Sequence, residues 1–105
     1  CLLANRAFDE GELDTELFTN RRPVQAYIKW TDPARRAPGA HTVLIIGRTE
    51  EGDYLVLDPL LRESPGKTAA RRLPYADLVD WLGYGHWEET YYGLGASLDA
   101  PLQGA

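Results

Sequence analysis

Along RPVQAYIKW the apolar residues Val24, Ala26, Ile28 and Trp30 alternate with Gln25, Tyr27 and Lys29, a period of two that predicts a half-buried β-strand closed by the TDP turn. Further on, the segments 41–48 and 53–58 are nearly continuous apolar runs separated by TEEG, which predicts a hairpin inside a sheet covered on both faces. Before these strands, Leu3, Ala7, Phe8, Leu13, Leu17 and Phe18 keep close to helical spacing around Gly11, predicting one short helix or two with the glycine as the break. LPYADLVDWLGYG predicts a late helix with Pro74 in its first turn, Leu78, Val79 and Leu82 on one side, and stops at Gly83 and Gly85. HWEETYYGLG reads as a last strand. Of the connections, DPARRAPGA is expected to be an exposed loop delivering the chain to His41, and PLLRESPGKTAARR a long polar linker. The sum is an α+β domain over residues 1–95, a small antiparallel sheet with one or two N-terminal helices and one late helix, followed by a tail over 96–105.

Composition narrows the class without changing the fold. The 105 residues, 44% hydrophobic and 26% charged, suit one soluble domain, and the longest apolar run, 43–46, is too short to span a bilayer. A formal charge of −5 argues against a nucleic-acid partner, and the basic pairs at Arg21 and Arg22, Arg35 and Arg36, and Arg71 and Arg72 read as solvated surface. The acidic run DEGELDTE reads as a solvated helix face. One cysteine, Cys1, excludes an internal disulfide and a cysteine-rich zinc site; with no methionine in the chain, the expectation is processed or truncated material, or a sequence given without its start. His86 stands near Glu88 and Glu89, a weak ligand set, so a surface histidine and no metal is expected. Trp81 and Trp87 are expected in the core or a groove wall, and Trp30 in the core or lining a cleft beside His41.

The chemistry to weigh lies in AHTVLIIGRTEEGDYLVLDPL, where His41 heads one apolar run and Asp58 closes the next. Pairing centred between Thr49 and Glu50 sets His41 directly across from Asp58, with Cβ atoms about 5 Å apart, close enough for a carboxylate to accept an imidazole N–H. Pairing centred between Glu51 and Gly52, which the glycine favours, sets Asp58 across from Ile45 and separates the two by roughly 13 Å. In the first register Asp58 would orient His41 as a general base or as the imidazolium of a thiolate pair. The bland reading is two polar strand ends meeting water.

NRRPVQAYIKW, GAHTVLIIGRTEEGDYLVLDPL and RRLPYADLVDWLGYGHWEETYYG together resemble the C-terminal half of bacterial papain-like cysteine peptidases, the group of bacteriocin-processing and plant-pathogen effector peptidases. The resemblance covers about residues 20–93. It implies a papain-like half-fold, a peptide or protein substrate, no cofactor, His41 as general base and Asp58 as the residue that orients it. It also favours the first register, since in papain-like folds the two face each other on adjacent strands. In that family the nucleophile opens a long helix well upstream, in a context with an oxyanion-supporting glutamine, whereas here 40 residues separate Cys1 from His41 and no such glutamine precedes it. Three readings stay open: the nucleophile lies in an N-terminal segment or chain that completes the fold, Cys1 is itself the nucleophile at the head of a shortened helix, or the domain is a non-catalytic recognition module. The Cys1, His41, Asp58 spacing also resembles transglutaminase-like leader-peptide peptidases.

Overall fold

The computed structural model describes residues 1–31, 40–64 and 67–95, with the side chains of 59–64 and 67–69 outside that description. The loop expected over 32–39 and the tail expected over 96–105 lie outside the described residues. Among the described residues six strands run in chain order as β1 (Leu2–Ala4), β2 (Val24–Trp30), β3 (Ala40–Arg48), β4 (Tyr54–Ser64), β5 (Lys67–Leu73) and β6 (Gly85–Tyr92). They form one antiparallel sheet in the order β1-β6-β2-β3-β4-β5. The short helices α1 (Glu10–Asp14) and α2 (Tyr75–Val79) lead into a π-helical turn at Thr15–Thr19 and a 3-10 turn at Trp81–Gly83. The α+β class and the antiparallel sheet are as the sequence predicts. Among the described residues no helix is long and apolar enough to cross a membrane.

Several boundaries differ from the sequence reading, each for a local reason. Residues 2–4 are an edge strand on β6, with Leu2 facing Tyr92 in register, so they form no part of the first helix. That helix starts later because Asp9 caps it: its Oδ1 accepts the Glu12 N–H at 2.8 Å, and Glu12 Oε1 accepts the Asp9 N–H at 3.0 Å. Gly11 therefore sits inside the first turn and breaks nothing. Arg6 donates to Glu12 at 2.6 Å, and this bond first, with help from the Asp9 N–H, holds the Glu12 carboxyl at about 2, below its usual range. The polar linker expected after Asp58 is instead the end of β4 and all of β5, which pair from Tyr54 with Leu73 onward. Asp58 thus lies inside a strand and not at its end. Pro74 is the N-cap of α2 and not a first-turn residue, and α2 stops at Val79, where the chain tightens into the 3-10 turn.

The core lies on one face of the sheet, where Val24, Ala26, Ile28, Val43, Ile45, Tyr54 and Val56 meet Phe8, Leu13 and Leu17 from the first helical segment and Leu78 and Trp81 from the second. Each such aliphatic side chain taken from water contributes about 1.5–3 kcal/mol. A helix of five residues has no stability of its own, so side-chain anchors dock these elements. Arg48 donates to Asp14 and Glu10 at 2.6 Å each and to the Gly52 carbonyl at 3.1 Å, and its guanidinium lies 4.6 Å over the Tyr54 ring. The Tyr54 hydroxyl donates to Asp14 at 2.9 Å; burial first, then Asp14, pushes the ionisation of this phenol up. Tyr75 ties α2 to the chain ahead of α1 by donating to the Phe8 carbonyl at 2.6 Å.

The β3–β4 hairpin follows neither register predicted from the sequence. The Gly52 N–H bonds the Thr49 carbonyl at 3.0 Å and the Thr49 N–H bonds Asp53 at 2.7 Å, with Gly52 at φ 97°, a three-residue loop whose last position needs a left-handed backbone. Strand pairing then runs Arg48 with Tyr54 and Gly47 with Leu55, skips Ile46, and resumes as Ile45 with Val56 and Leu44 with Leu57. A one-residue slip moves every later side chain to the other face. Without the bulge, Asp58 would follow the turn's register onto the Leu44 face, away from His41. With it, Asp58 falls across from Val43, on the same face as His41.

Candidate active site: a buried histidine and aspartate pair

His41 is the second residue of β3, and its Cα partner across the sheet is Ile28 on β2. Continuing the β3–β4 pairing by one step sets Asp58 diagonal to His41, two residues away from direct opposition. Diagonal neighbours lie about 7–8 Å apart at the backbone, within reach of a histidine and an aspartate. The side chains close that gap: His41 Nε2 lies 2.8 Å from Asp58 Oδ1, with the residues only 7% and 3% exposed. A carboxylate can only accept, so Nε2 carries the proton and the lone pair of the neutral ring sits on Nδ1. Nδ1 makes no hydrogen bond among the described residues.

Aromatic residues fix the plane of the imidazole. Trp30, two residues past Ile28, stacks on His41 with centroids 5.4 Å apart and planes 11° from parallel, and Trp81 approaches from another side at 5.8 Å and 59°. Gly85, the β6 partner of Trp30, makes this possible: a Cβ there would lie 2.9 Å from Ile28 Cγ2 and 3.3 Å from Trp30 Cε3. Trp81 is aimed at the site by the turn behind it, in which Leu82 and Gly83 take φ 50° and 85° and the Tyr84 N–H bonds the Trp81 carbonyl at 2.9 Å. Trp30, expected in the core or lining a cleft beside His41, is half-buried and packs against the core cluster while it stacks on the imidazole.

Asp58 is held from its far side as well. Arg71 on β5 donates from Nη1 to Oδ2 at 3.1 Å, and its guanidinium lies 5.8 Å from the Trp81 ring. Nothing in the sequence separates this arginine from its neighbour Arg72. The strand register does: Arg71 pairs with Val56 on the core face, while Arg72 pairs with Leu55 and reaches only the exposed Glu51, at 3.4 Å.

Cys1 is not brought to the pair. It is exposed, ahead of β1, and β1 lies three strands from β3. The register runs from Leu3 through Tyr91 and Gln25 to Leu44, so Cys1 also lies about five residue steps along the strands from the level of His41. Strand spacing of about 4.8 Å and a rise of about 3.3 Å per residue put the two roughly 20 Å apart. Alkylation of Cys1 by iodoacetamide is therefore expected to proceed at the same rate in wild type and in His41→Ala, measured by mass spectrometry between pH 6 and 8. A rate that drops in the variant would place the thiol beside the imidazole after all.

The remaining candidates behave as ordinary structure. His86 Nδ1 is 3.9 Å from Asp80 with both side chains more than half exposed, and among the described residues no group of three potential ligands could hold a metal ion. Trp87 is buried, donating from Nε1 to Thr90 Oγ1 and the Glu89 carbonyl at 2.9 Å each. An open depression of about 530 Å³ lies between the first helical segment and β6, lined by Arg6, Asp9, Glu12, Glu16 and Tyr92 among others. His41 is not among its lining residues, and its buried carboxylate, Glu16, already accepts from Asn20 Nδ2 and the Gly93 N–H at 2.7 Å each. The chain matches no protein-family model, no curated protein and no solved structure.

Proposed function

We propose that this chain supplies the histidine and aspartate of a papain-like cysteine peptidase site, with the attacking thiol delivered by a polypeptide segment or chain outside these 105 residues. One observation carries the reading: the two residues singled out by the resemblance are hydrogen-bonded at 2.8 Å, on adjacent antiparallel strands, in a nearly dry setting. His41 takes the thiol proton; the thiolate forms a bond to the scissile carbonyl carbon; the imidazolium returns the proton to the departing amine as the C–N bond breaks. Water then opens the thioester, its proton passing through His41 again. Asp58 keeps Nε2 protonated throughout, so that Nδ1 does the proton transfer. The acceptor is a peptide or protein.

The test is cleavage of a mixed peptide pool by the polypeptide in which these residues occur. Hydrolysis should be blocked by thiol alkylation and slowed at least about 100-fold by His41→Ala, the usual yield of a positioned general base. Cleavage indifferent to His41, or none, sinks the peptidase reading. The distance between Cys1 and His41 favours a second reading, a recognition module of the same fold without a competent nucleophile; binding of peptides without cleavage, unaffected by His41→Ala, is its signature.

A further inference from the structure

Asp58 has two oxygens, and the geometry uses both. Oδ1 faces His41 Nε2 at 2.8 Å, and Oδ2 faces Arg71 Nη1 at 3.1 Å. A carboxylate bonded on one oxygen alone can swing about its Cβ–Cγ axis; a donor on the second oxygen removes that freedom. The Arg71 side chain is 27% exposed, so its charge stays partly hydrated, while the Asp58 side chain is 4% exposed. The guanidinium is itself seated, 5.8 Å from the Trp81 ring, and the same Trp81 ring packs 5.8 Å from the imidazole. Arg71, Asp58 and His41 thus form a diagonal chain across β5, β4 and β3, braced at both ends by one indole.

We propose that Arg71 is a positioning residue for the histidine and aspartate pair, its guanidinium fixing the Asp58 carboxylate in the orientation that presents Oδ1 to His41 Nε2. The catalytic consequence rests on the peptidase reading above; the positioning itself does not. Two uncharged rings pack on the imidazole, Trp30 from β2 and Trp81 from the 3-10 turn. Asp58 on β4 bonds it, and Arg71 on β5 stands behind Asp58. Replacing Arg71 takes from Oδ2 the guanidinium donor that stands 3.1 Å away, and with it one constraint on the carboxylate's orientation toward Nε2.

The experiment is a ¹⁵N-detected spectrum of both histidines at alkaline pH in the 105-residue chain, for wild type, Arg71→Gln, Arg71→Lys and, as a control, Arg72→Gln. In Arg71→Gln the protonated Nε2 signature of the neutral His41 ring should weaken toward a mixture of tautomers. Arg71→Lys, which keeps a charge but not the planar fork, should weaken it less. The His86 signals should be alike in all four proteins. If Arg71→Gln fails to fold, the lysine variant decides. A His41 tautomer signature unchanged in the folded Arg71 variants, or weakened equally by Arg72→Gln, overturns the proposal. Because no substrate is involved, these results stand whether or not the chain takes part in peptide cleavage. Conversely, cleavage that depends on His41 together with an unchanged tautomer signature removes Arg71's role and leaves the peptidase reading intact.

Discussion

Replacing Asp58 by alanine is expected to lower the stability of the domain by about 3 kcal/mol, read as a shift in a urea unfolding midpoint, because removing one member of a buried, hydrogen-bonded charge set leaves its partners unpaired. The figure sits at the low end of that range because Arg71 is 27% exposed and can turn its guanidinium to water, whereas the His41 side chain, at 6%, cannot. Asparagine separates the two bonds. With its amide oxygen toward Nε2 the histidine bond survives, but the amide NH₂ then confronts Arg71 Nη1, donor against donor; with the amide turned over, the Arg71 bond survives and His41 is pushed into the tautomer with a bare Nε2. Asp58→Asn should therefore recover part of the stability lost in Asp58→Ala, while any His41-dependent hydrolysis falls on the order of 1,000-fold or more, as wrong-tautomer substitutions do in other triads. Combining it with Arg71→Gln removes the donor clash, so the double variant should be less destabilised than the sum of the singles. Full additivity would mean that Asp58 and Arg71 do not share a bond in solution.

What the sequence disclosed and what it hid follow from which physical signal each element carries. β2, β3 and the first part of β4 are written in apolar residues at strand period or in buried runs, and the Gly52 turn between the last two is written in its glycine. β5 carries no such signal: it is an edge strand, with Ala70 and Arg72 exposed and Arg71 half-buried, and charge on an edge guards against stray pairing while erasing hydrophobic alternation. The start of α1 was available, since Asp9 and Glu12 stand at the spacing of a capping box, but the helical spacing of Leu3, Ala7 and Phe8 pointed to an earlier start. The residue types of the site were legible, and the resemblance set the pair facing each other; the register that joins them was not. It depends on a bulge at Ile46 that no residue announces, and that one extra residue decides whether Asp58 shares a face with His41. Arg71 was hidden for the same reason, because only register tells it from Arg72.

Trp81→Ala is expected to be the most damaging single substitution to the fold, costing about 3–5 kcal/mol, the usual range for truncating a buried aromatic. A small domain holds about 5–15 kcal/mol in total, so this variant should be close to unfolded at 37 °C. The ring is 1% exposed and is the meeting point of three parts of the molecule: it belongs to the core cluster with Leu78, it packs on His41, and it seats the Arg71 guanidinium. Neighbouring backbone offers little slack to fill the void, since Leu82 and Gly83 hold left-handed conformations and the Thr31 N–H bonds the Tyr84 carbonyl at 3.0 Å, pinning the turn to the end of β2. Phenylalanine at the same position keeps one aromatic face for the imidazole and the guanidinium and should cost about half as much. The comparison separates packing from placement: Trp81→Phe should remain folded with His41 still protonated at Nε2, and Trp81→Ala, where a folded fraction persists in the cold, should lose that signature along with the brace behind Arg71. A Trp81→Ala protein within 1 kcal/mol of wild type would show that the indole is not the keystone joining the core to the pair.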